Sequence, residues 1–285
     1  MNRERPLKLP AFLGVGPPRT GTTWLHETIV GHANLPRANK EIKFFDRHYD
    51  LGLDWYAANF DQTSSLVTGE ICPTYFASAV ARERIAQLTP RPKIICTFRD
   101  PVVRVFSLYK MKRTYGDITC DFKDAIESDP ELLESGRYAY HLAEWRRIFG
   151  EENVLAAFYD DFALDSQSYV DRIADFAGIP RFKLADESSR KIHSSEGTVY
   201  PRSLMITRIG SRTADWLKAR HLGNVVEGVK RSRLMGLFVG GNDPIPPLSK
   251  DFAGELRMRF RAEIEALEQL VRRDLSAWKS APAAG

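Results

Sequence analysis

The stretch Phe12-Leu13-Gly14-Val15-Gly16-Pro17-Pro18-Arg19-Thr20-Gly21-Thr22-Thr23-Trp24 decides how this chain is read. An apolar run enters a loop of glycine and proline, and the loop opens into a helix starting near Thr22. Gly21 lets the main chain approach an anion closely. The amides of about Thr20 to Thr23 have no intrahelical acceptors and point outward, where the helix dipole adds partial positive charge. The hydroxyls of Thr22 and Thr23 and the guanidinium of Arg19 complete a cradle for an anion. The plainer alternative is a strand–helix connection with a threonine N-cap. The order of glycine, basic residue and paired threonines favours the cradle.

With Gly16 and Gly21 as its glycines, the loop nearly matches the phosphate-binding pattern G-x-x-x-x-G-K-[ST]. The lysine is missing, since position 22 is Thr, and the basic residue lies inside the loop at Arg19. A nucleoside-triphosphate site uses that lysine with Mg²⁺ to neutralise a highly charged tail. A loop with Arg19 and no such lysine suits a less charged group.

Strands and helices alternate up to about residue 180. Strands are expected at Ala11–Val15, Ser65–Thr68, Lys93–Phe98 and Asn153–Tyr159. Helices are expected at Thr22–Gly31, Phe76–Leu88, from Pro101, at Tyr138–Phe149 and at Ser166–Ala177. The alternation predicts an α/β fold, a parallel sheet flanked by helices in three layers, with ligands beyond the carboxyl ends of the strands. The loops at 16–21 and 99–100 are then expected to be neighbours. We read 1–285 as one domain: an 11–180 nucleotide-binding core, a variable basic region over 181–247, and a C-terminal helix over 248–280 that packs on the core. In that last stretch Phe252, Leu256, Phe260, Ile264, Leu267, Leu270 and Leu275 recur at helical spacing. The tail after Ser280 is expected to be loose. The basic 203–233 segment reads as a solvated helical face, with attraction of an anionic acceptor or a membrane surface as the alternative.

Composition fits an ordinary globular enzyme. The chain has 285 residues, 43% apolar and 27% charged, and a net charge of +4 that is too small to argue for nucleic acid. The three cysteines, Cys72, Cys96 and Cys120, are widely spaced and form no metal pattern. Their sparse, odd number suggests a reducing compartment. Met1–Pro6 leads into the first strand without the apolar segment of a secretion signal, and no run reaches the roughly 20 apolar residues of a membrane span. A cytoplasmic protein is expected.

A second anchor follows the third strand in Phe98-Arg99-Asp100-Pro101-Val102-Val103-Arg104-Val105-Phe106-Ser107. Arg99 stands at the carboxyl end of that strand and Ser107 two helical turns on, a pair able to grip a phosphate from two sides. Taken alone, Arg99 reads equally well as a structural partner of Asp100.

Together these segments resemble the sulfotransferases that use 3′-phosphoadenosine 5′-phosphosulfate. Pro18-Arg19-Thr20-Gly21-Thr22-Thr23-Trp24 resembles their 5′-phosphosulfate loop, and Arg99 to Ser107 their 3′-phosphate site. Lys40-Glu41-Ile42-Lys43-Phe44-Phe45-Asp46, His48-Tyr49, Gly52-Leu53-Asp54-Trp55-Tyr56, Gly69-Glu70, Pro73-Thr74-Tyr75-Phe76, Tyr138 to Trp145 and Arg273 to Trp278 are similar to the heparan-sulfate sulfotransferase branch. The resemblance implies a nucleotide-triphosphatase-like P-loop fold and transfer of a sulfuryl group without a metal. It makes Glu41 the general base, with Lys40 and Lys43 beside it, a setting that suits a carboxylate accepting a proton. Arg19 replaces the loop lysine of many relatives and stabilises the bridging oxygen.

The chain departs from that branch at Ile71, where glycan-sulfating members often carry a lysine. Either Lys43 or Lys40 compensates, or the acceptor differs. The nucleotide-clamping loop is best matched by Lys191 to Ser203, with Gly197 and Arg202 able to approach an anion. His193 and His141 are alternative bases, each more often a surface or packing residue. Trp24, Phe44, Phe45, Tyr75 and Tyr138 line a pocket or belong to the core. The resulting expectation is a bacterial-type enzyme that moves sulfuryl from 3′-phosphoadenosine 5′-phosphosulfate to a hydroxyl of a small metabolite, glycan or glycolipid. A nucleotide-dependent kinase and a non-catalytic nucleotide-binding module are the rivals.

Overall fold

The computed structural model describes residues 7–37, 40–185, 213 and 245–280. These divide into two units, residues 7–98 with 144–185, and residues 99–143 with 245–280. The first unit holds a parallel sheet of β1 (Phe12–Gly16), β2 (Gly69–Ile71), β3 (Lys93–Phe98) and β4 (Val154–Phe158), in the order β2-β1-β3-β4. The chain steps from β1 to one side and then crosses to the other. The order therefore reverses between β1 and β3, the place where sheets of this kind leave room for a ligand.

The helices described are α1 (Thr22–Ile29), α2 (Gly52–Ala57), α3 (Ala79–Ala86), α4 (Pro101–Thr114), α5 (Phe122–Ser128), α6 (Pro130–Glu134), α7 (Tyr138–Phe149), α8 (Tyr159–Leu164) and α9 (Ser166–Ala177), then Lys250–Val271 and Ser276–Ser280. None among the described residues is long and apolar enough to cross a membrane.

Parallel strands need cover on both faces. On one face Phe12, Ile71, Ile95 and Ala157 pack with Trp24, Leu25 and Ile29 of α1 and Val170, Ile173 and Ala177 of α9. On the other, Phe98 meets Phe76 at 5.8 Å between ring centroids, and Trp145 of α7 donates to the Phe76 carbonyl at 3.0 Å. Arg82 of α3 lies over the Trp145 ring. Helix α9 keeps its expected bounds, because Asp165 caps it through the Ser168 amide and Gly178 ends it.

The second strand lies a few residues beyond the expected Ser65–Thr68. Leu66 there is exposed, and Thr68 forms an isolated bridge to Asn34. The ladder starts at Gly69 and contains Glu70, a carboxylate that residue preference places outside strands.

In the second unit, Asp100 caps α4, accepting from the amides of Val102 (2.8 Å) and Val103 (3.2 Å) ahead of Pro101. Its other oxygen pairs with Arg257 at 3.1 Å, and Arg257 also donates to the Trp278 carbonyl at 2.8 Å. Arg104 is fully buried and donates to Ser135 Oγ and the Leu132 carbonyl, each at 2.8 Å. Leu256, Phe260, Ile264 and Leu267 form the buried stripe of the long helix. That helix stops at Arg272 (φ 52) rather than running on to residue 280, because the Glu268 carboxylate takes the Leu275 amide (2.7 Å) and is held by Lys279 (2.6 Å). The loop with His193, Gly197 and Arg202, the basic 203–233 segment apart from position 213, and the tail beyond Ser280 lie outside the described residues.

Asp100 therefore does two things that substitution separates. Asp100→Asn keeps a cap oxygen and loses the ion pair, for an expected loss of about 1.5–3 kcal/mol. Asp100→Ala loses both and is expected to cost a further ~1 kcal/mol. Urea unfolding of the three proteins measures this; equal losses would mean the cap contributes nothing.

Candidate active site

β1 leaves the sheet at Gly16 with φ 91, where an added Cβ would stand 2.7 Å from Pro73 Cα. Only glycine lets the two segments pass. The Thr20 hydroxyl lies 2.6 Å from the Pro17 carbonyl and 2.6 Å from Thr97 Oγ1 on β3, closing the loop over the sheet. The Thr20 hydroxyl is thus taken up by contacts within the protein. Arg19 has φ 72, a left-handed conformation that costs a side-chain-bearing residue roughly 1–2 kcal/mol. Gly21, at φ 90, is the N-cap of α1 and gives no side-chain oxygen to its amides. A threonine cap is therefore not what starts this helix. No acidic side chain lies in that first turn to offset the positive end of the helix dipole. The Trp24 ring packs in the core, 4.1 Å from Phe162 and 6.2 Å from Tyr169 between centroids, so that side chain is structural.

The carboxylate expected to act as base stands beside this loop. Lys40 Nζ donates to Thr23 Oγ1 at 2.8 Å and lies 3.4 Å from Glu41 Oε1. Burial pulls the Lys40 ammonium below its usual value, and Glu41 opposes that shift. His26, one helical turn beyond Thr22, shares this environment. Burial first, then the charge of Lys40, brings its pKa to about 4, so its imidazole is neutral. Sequence reading passed over His26, and its spacing on α1 was the available signal. Lys43 has φ 55 at the entry to a π-helical turn over Phe44–His48, and its charge acts on Asp46. Burial raises the Asp46 carboxyl, while a hydrogen bond with Thr74 pulls it the other way. Phe44, Phe45 and Tyr75 are buried core residues.

Glu70 is the largest addition to the sequence reading, which quoted it only within a motif. It is fully buried on β2. It accepts from the Ile42 amide (2.9 Å), Tyr56 Oη (2.7 Å) and Tyr75 Oη (3.3 Å). Burial pushes its pKa up to about 7, although all three donors act to lower it. Its neighbour Ile71 points to the opposite face, into the core cluster, so no cation replaces the expected lysine at that position.

In the second unit, Arg99 follows β3 directly and its carbonyl accepts from Tyr138 Oη at 3.0 Å. Asp100 is committed to Arg257 and the α4 cap, and Ser107 is buried on α4. His141 is a packing histidine, buried with Nε2 3.1 Å from Glu134 Oε1. Among the described residues no three His, Cys, Asp or Glu side chains gather as a metal site.

A family model described as "Sulfotransferase domain" matches residues 9–197. The human bifunctional heparan sulfate N-deacetylase/N-sulfotransferase 3 is 31% identical over 196 residues, covering 60% of this chain and 22% of that protein. The human heparan sulfate glucosamine 3-O-sulfotransferase 3B1 is 32% identical over 184 residues, covering 61% of this chain and 47% of that protein. The chain thus spans about a fifth to about half the length of these curated relatives. A crystal structure of a sulfotransferase from Alicyclobacillus acidocaldarius has a TM-score of 0.68 at 21% identity, covering 95% of this chain and 99% of that one. This likeness shows the fold, the three-layer P-loop arrangement expected from the sequence.

Glu70 makes stability depend on pH in a stated direction. Between its ordinary value of 4.5 and its native value of about 7, the unfolded chain has released a proton that the native protein keeps. Its contribution is therefore complete below pH 4.5, falls as pH rises and levels off above about 7. Glu70→Gln does not titrate. The melting temperature of the wild type, relative to that variant, is expected to drop between pH 5 and pH 8. A constant difference across that range would contradict the assignment.

Proposed function

The chain belongs to the sulfotransferase domain family, and on that premise we propose that it transfers the sulfuryl group of 3′-phosphoadenosine 5′-phosphosulfate to an acceptor hydroxyl, with Glu41 as general base. The observation that carries this reading is the Lys40 ammonium, which touches both Thr23 in the first turn of α1 and Glu41. One side chain thereby joins the anion-binding helix end to the proposed base.

The reaction is an in-line displacement through a loose transition state. The acceptor oxygen attacks sulfur, its proton passes to Glu41, and the bond from sulfur to the bridging oxygen breaks. Negative charge develops on the leaving phosphate. The first-turn amides of Thr22 to Trp24, the loop main chain from Pro18 to Gly21 and the Arg19 guanidinium are assigned to that phosphate. Lys40 is assigned to the charge at the sulfuryl group, and Lys43, beside Asp46, to the acceptor side. Arg99 and Ser107 are assigned to the 3′-phosphate, and Gly197 and Arg202 to the nucleotide clamp. No metal is assigned, because the loop supplies its own cation.

The acceptor is a hydroxyl of a small metabolite, glycan or glycolipid. The glucosamine named in the 3-O-sulfotransferase relative supports a saccharide among these. A cytoplasmic setting is supported by Cys72 and Cys96, both unpaired, buried and pushed up as thiols by that burial.

Glu41→Gln is expected to keep donor affinity and lose turnover by at least about a hundredfold, since a general base contributes about 10²–10⁴. Steady-state kinetics on an acceptor found by mass-spectrometric screening, run in EDTA, tests this. Near-native turnover of Glu41→Gln would remove it from the mechanism, and a strict Mg²⁺ requirement would favour the kinase reading. For the donor, 3′-phosphoadenosine 5′-phosphate is expected to bind far better than AMP, and Arg99→Ala to lose about 1.5–3 kcal/mol of that affinity. Calorimetry measures it; equal affinity for AMP would overturn the role of Arg99.

A further inference from the structure

The two main-chain amides that follow Glu41 on either side of Lys43 are both held from β2 and the turn after it. The Ile42 amide donates to Glu70 Oε1 at 2.9 Å, and the Phe44 amide donates to Tyr75 Oη at 2.8 Å. Tyr75 Oη in turn lies 3.3 Å from both Glu70 oxygens, and Tyr56 Oη donates to Oε2 at 2.7 Å. Glu70, Tyr56 and Tyr75 are all fully buried. The ring of Phe44 stacks on that of Tyr56 with centroids 4.6 Å apart, closing the network from the other side.

A buried carboxylate is a costly way to hold a loop. Its particular capacity is to accept several donors at once, here one main-chain amide and two phenols. That amide belongs to the residue immediately after the proposed base. Once Ile42 and Phe44 are fixed, the Glu41 backbone has little freedom, and its carboxylate reaches the Lys40 ammonium from a set direction.

We propose that Glu70, acting through the Ile42 amide and through Tyr56 and Tyr75, is the positioning residue that aims Glu41 at the acceptor proton. The proposal rests on Glu41 being the base. Glu70 is fully buried, away from any bound molecule, so its loss is felt only in the step that needs Glu41. Misplacing a catalytic group by about an ångström costs up to about a hundredfold in rate.

The test compares wild type, Glu41→Gln, Glu70→Gln and the double variant by single-turnover release of 3′-phosphoadenosine 5′-phosphate from the sulfate donor. One arm uses water as the acceptor, whose proton must be removed. The other adds p-nitrophenol at pH 8, where that acceptor is already largely ionised and needs no base. Glu70→Gln is expected to slow the water arm by about ten- to a hundredfold. The p-nitrophenol arm should stay within about twofold of wild type and nucleotide affinity should be unchanged, as expected of a group that only positions the base. The double variant should be no slower than Glu41→Gln alone. Equal slowing of both arms, a multiplicative double variant, or a native rate in Glu70→Gln would each overturn the proposal. A native water-arm rate in Glu41→Gln alone would instead overturn the reading of Glu41 as base. Should Glu70→Gln fail to fold, Tyr75→Phe removes the acceptor of the Phe44 amide and runs through the same cycle with the same expectations.

Discussion

Everything at the proposed donor end depends on how β1 turns into α1. The turn passes so close to Pro73 that no side chain fits at Gly16, and it reaches the helix through Gly21 with a backbone that residues with a Cβ adopt at a cost. Thr20 ties the loop to β3 from within. The result is a helix start at a glycine, which has no side chain to give the first amides, with Arg19 in the preceding loop in a left-handed conformation. A helix start of this kind is electrically unfinished, and an anion completes it. The unfavourable backbone at Arg19 is tolerated because the surrounding loop over-determines it.

The other half of the first unit solves a different problem, that of keeping polar groups inside a dry interior. Glu70, Tyr56, Tyr75 and the Ile42 and Phe44 amides satisfy one another. The aromatic rings of Phe44, Phe45, Tyr49 and Tyr56 pack around them and exclude water. Within such surroundings hydrogen bonds are strong and an unmet donor is expensive, so the segment from Glu41 to Phe44 has one stable arrangement. Lys40 links this segment to the helix end through Thr23. Its lowered pKa and the neutral His26 nearby are both consequences of charge placed where water is scarce.

The second unit follows the same economy with arginines. Arg104 is fully buried and meets Ser135 and Leu132; Arg257 joins the cap of α4 to the helix Ser276–Ser280. Asp100 thereby has a structural task, capping α4 and holding Arg257.

Sequence alone was sufficient for the alternation of strands and helices, the loop from Gly16 to Thr23, Lys93–Phe98 as a strand, α9 to the residue, and the nearness of Lys40 to Glu41. These are local properties: apolar periodicity, caps, glycines and covalent adjacency. The same reading displaced β2 and ran the last helix through Arg272, because a carboxylate inside a strand and a side chain that stops a helix are only favourable once distant partners are in place. Whether Trp24, Phe44, Phe45, Tyr75 and Tyr138 were core or pocket was likewise beyond local pattern, since burial is set by what packs against a residue; the tertiary structure makes them core. His141 became a packing residue for the same reason. Glu70 shows the limit most plainly. Three donors from residues 42, 56 and 75 converge on it, and nothing within a window of sequence around residue 70 records that convergence, because only the folded chain brings them to one point.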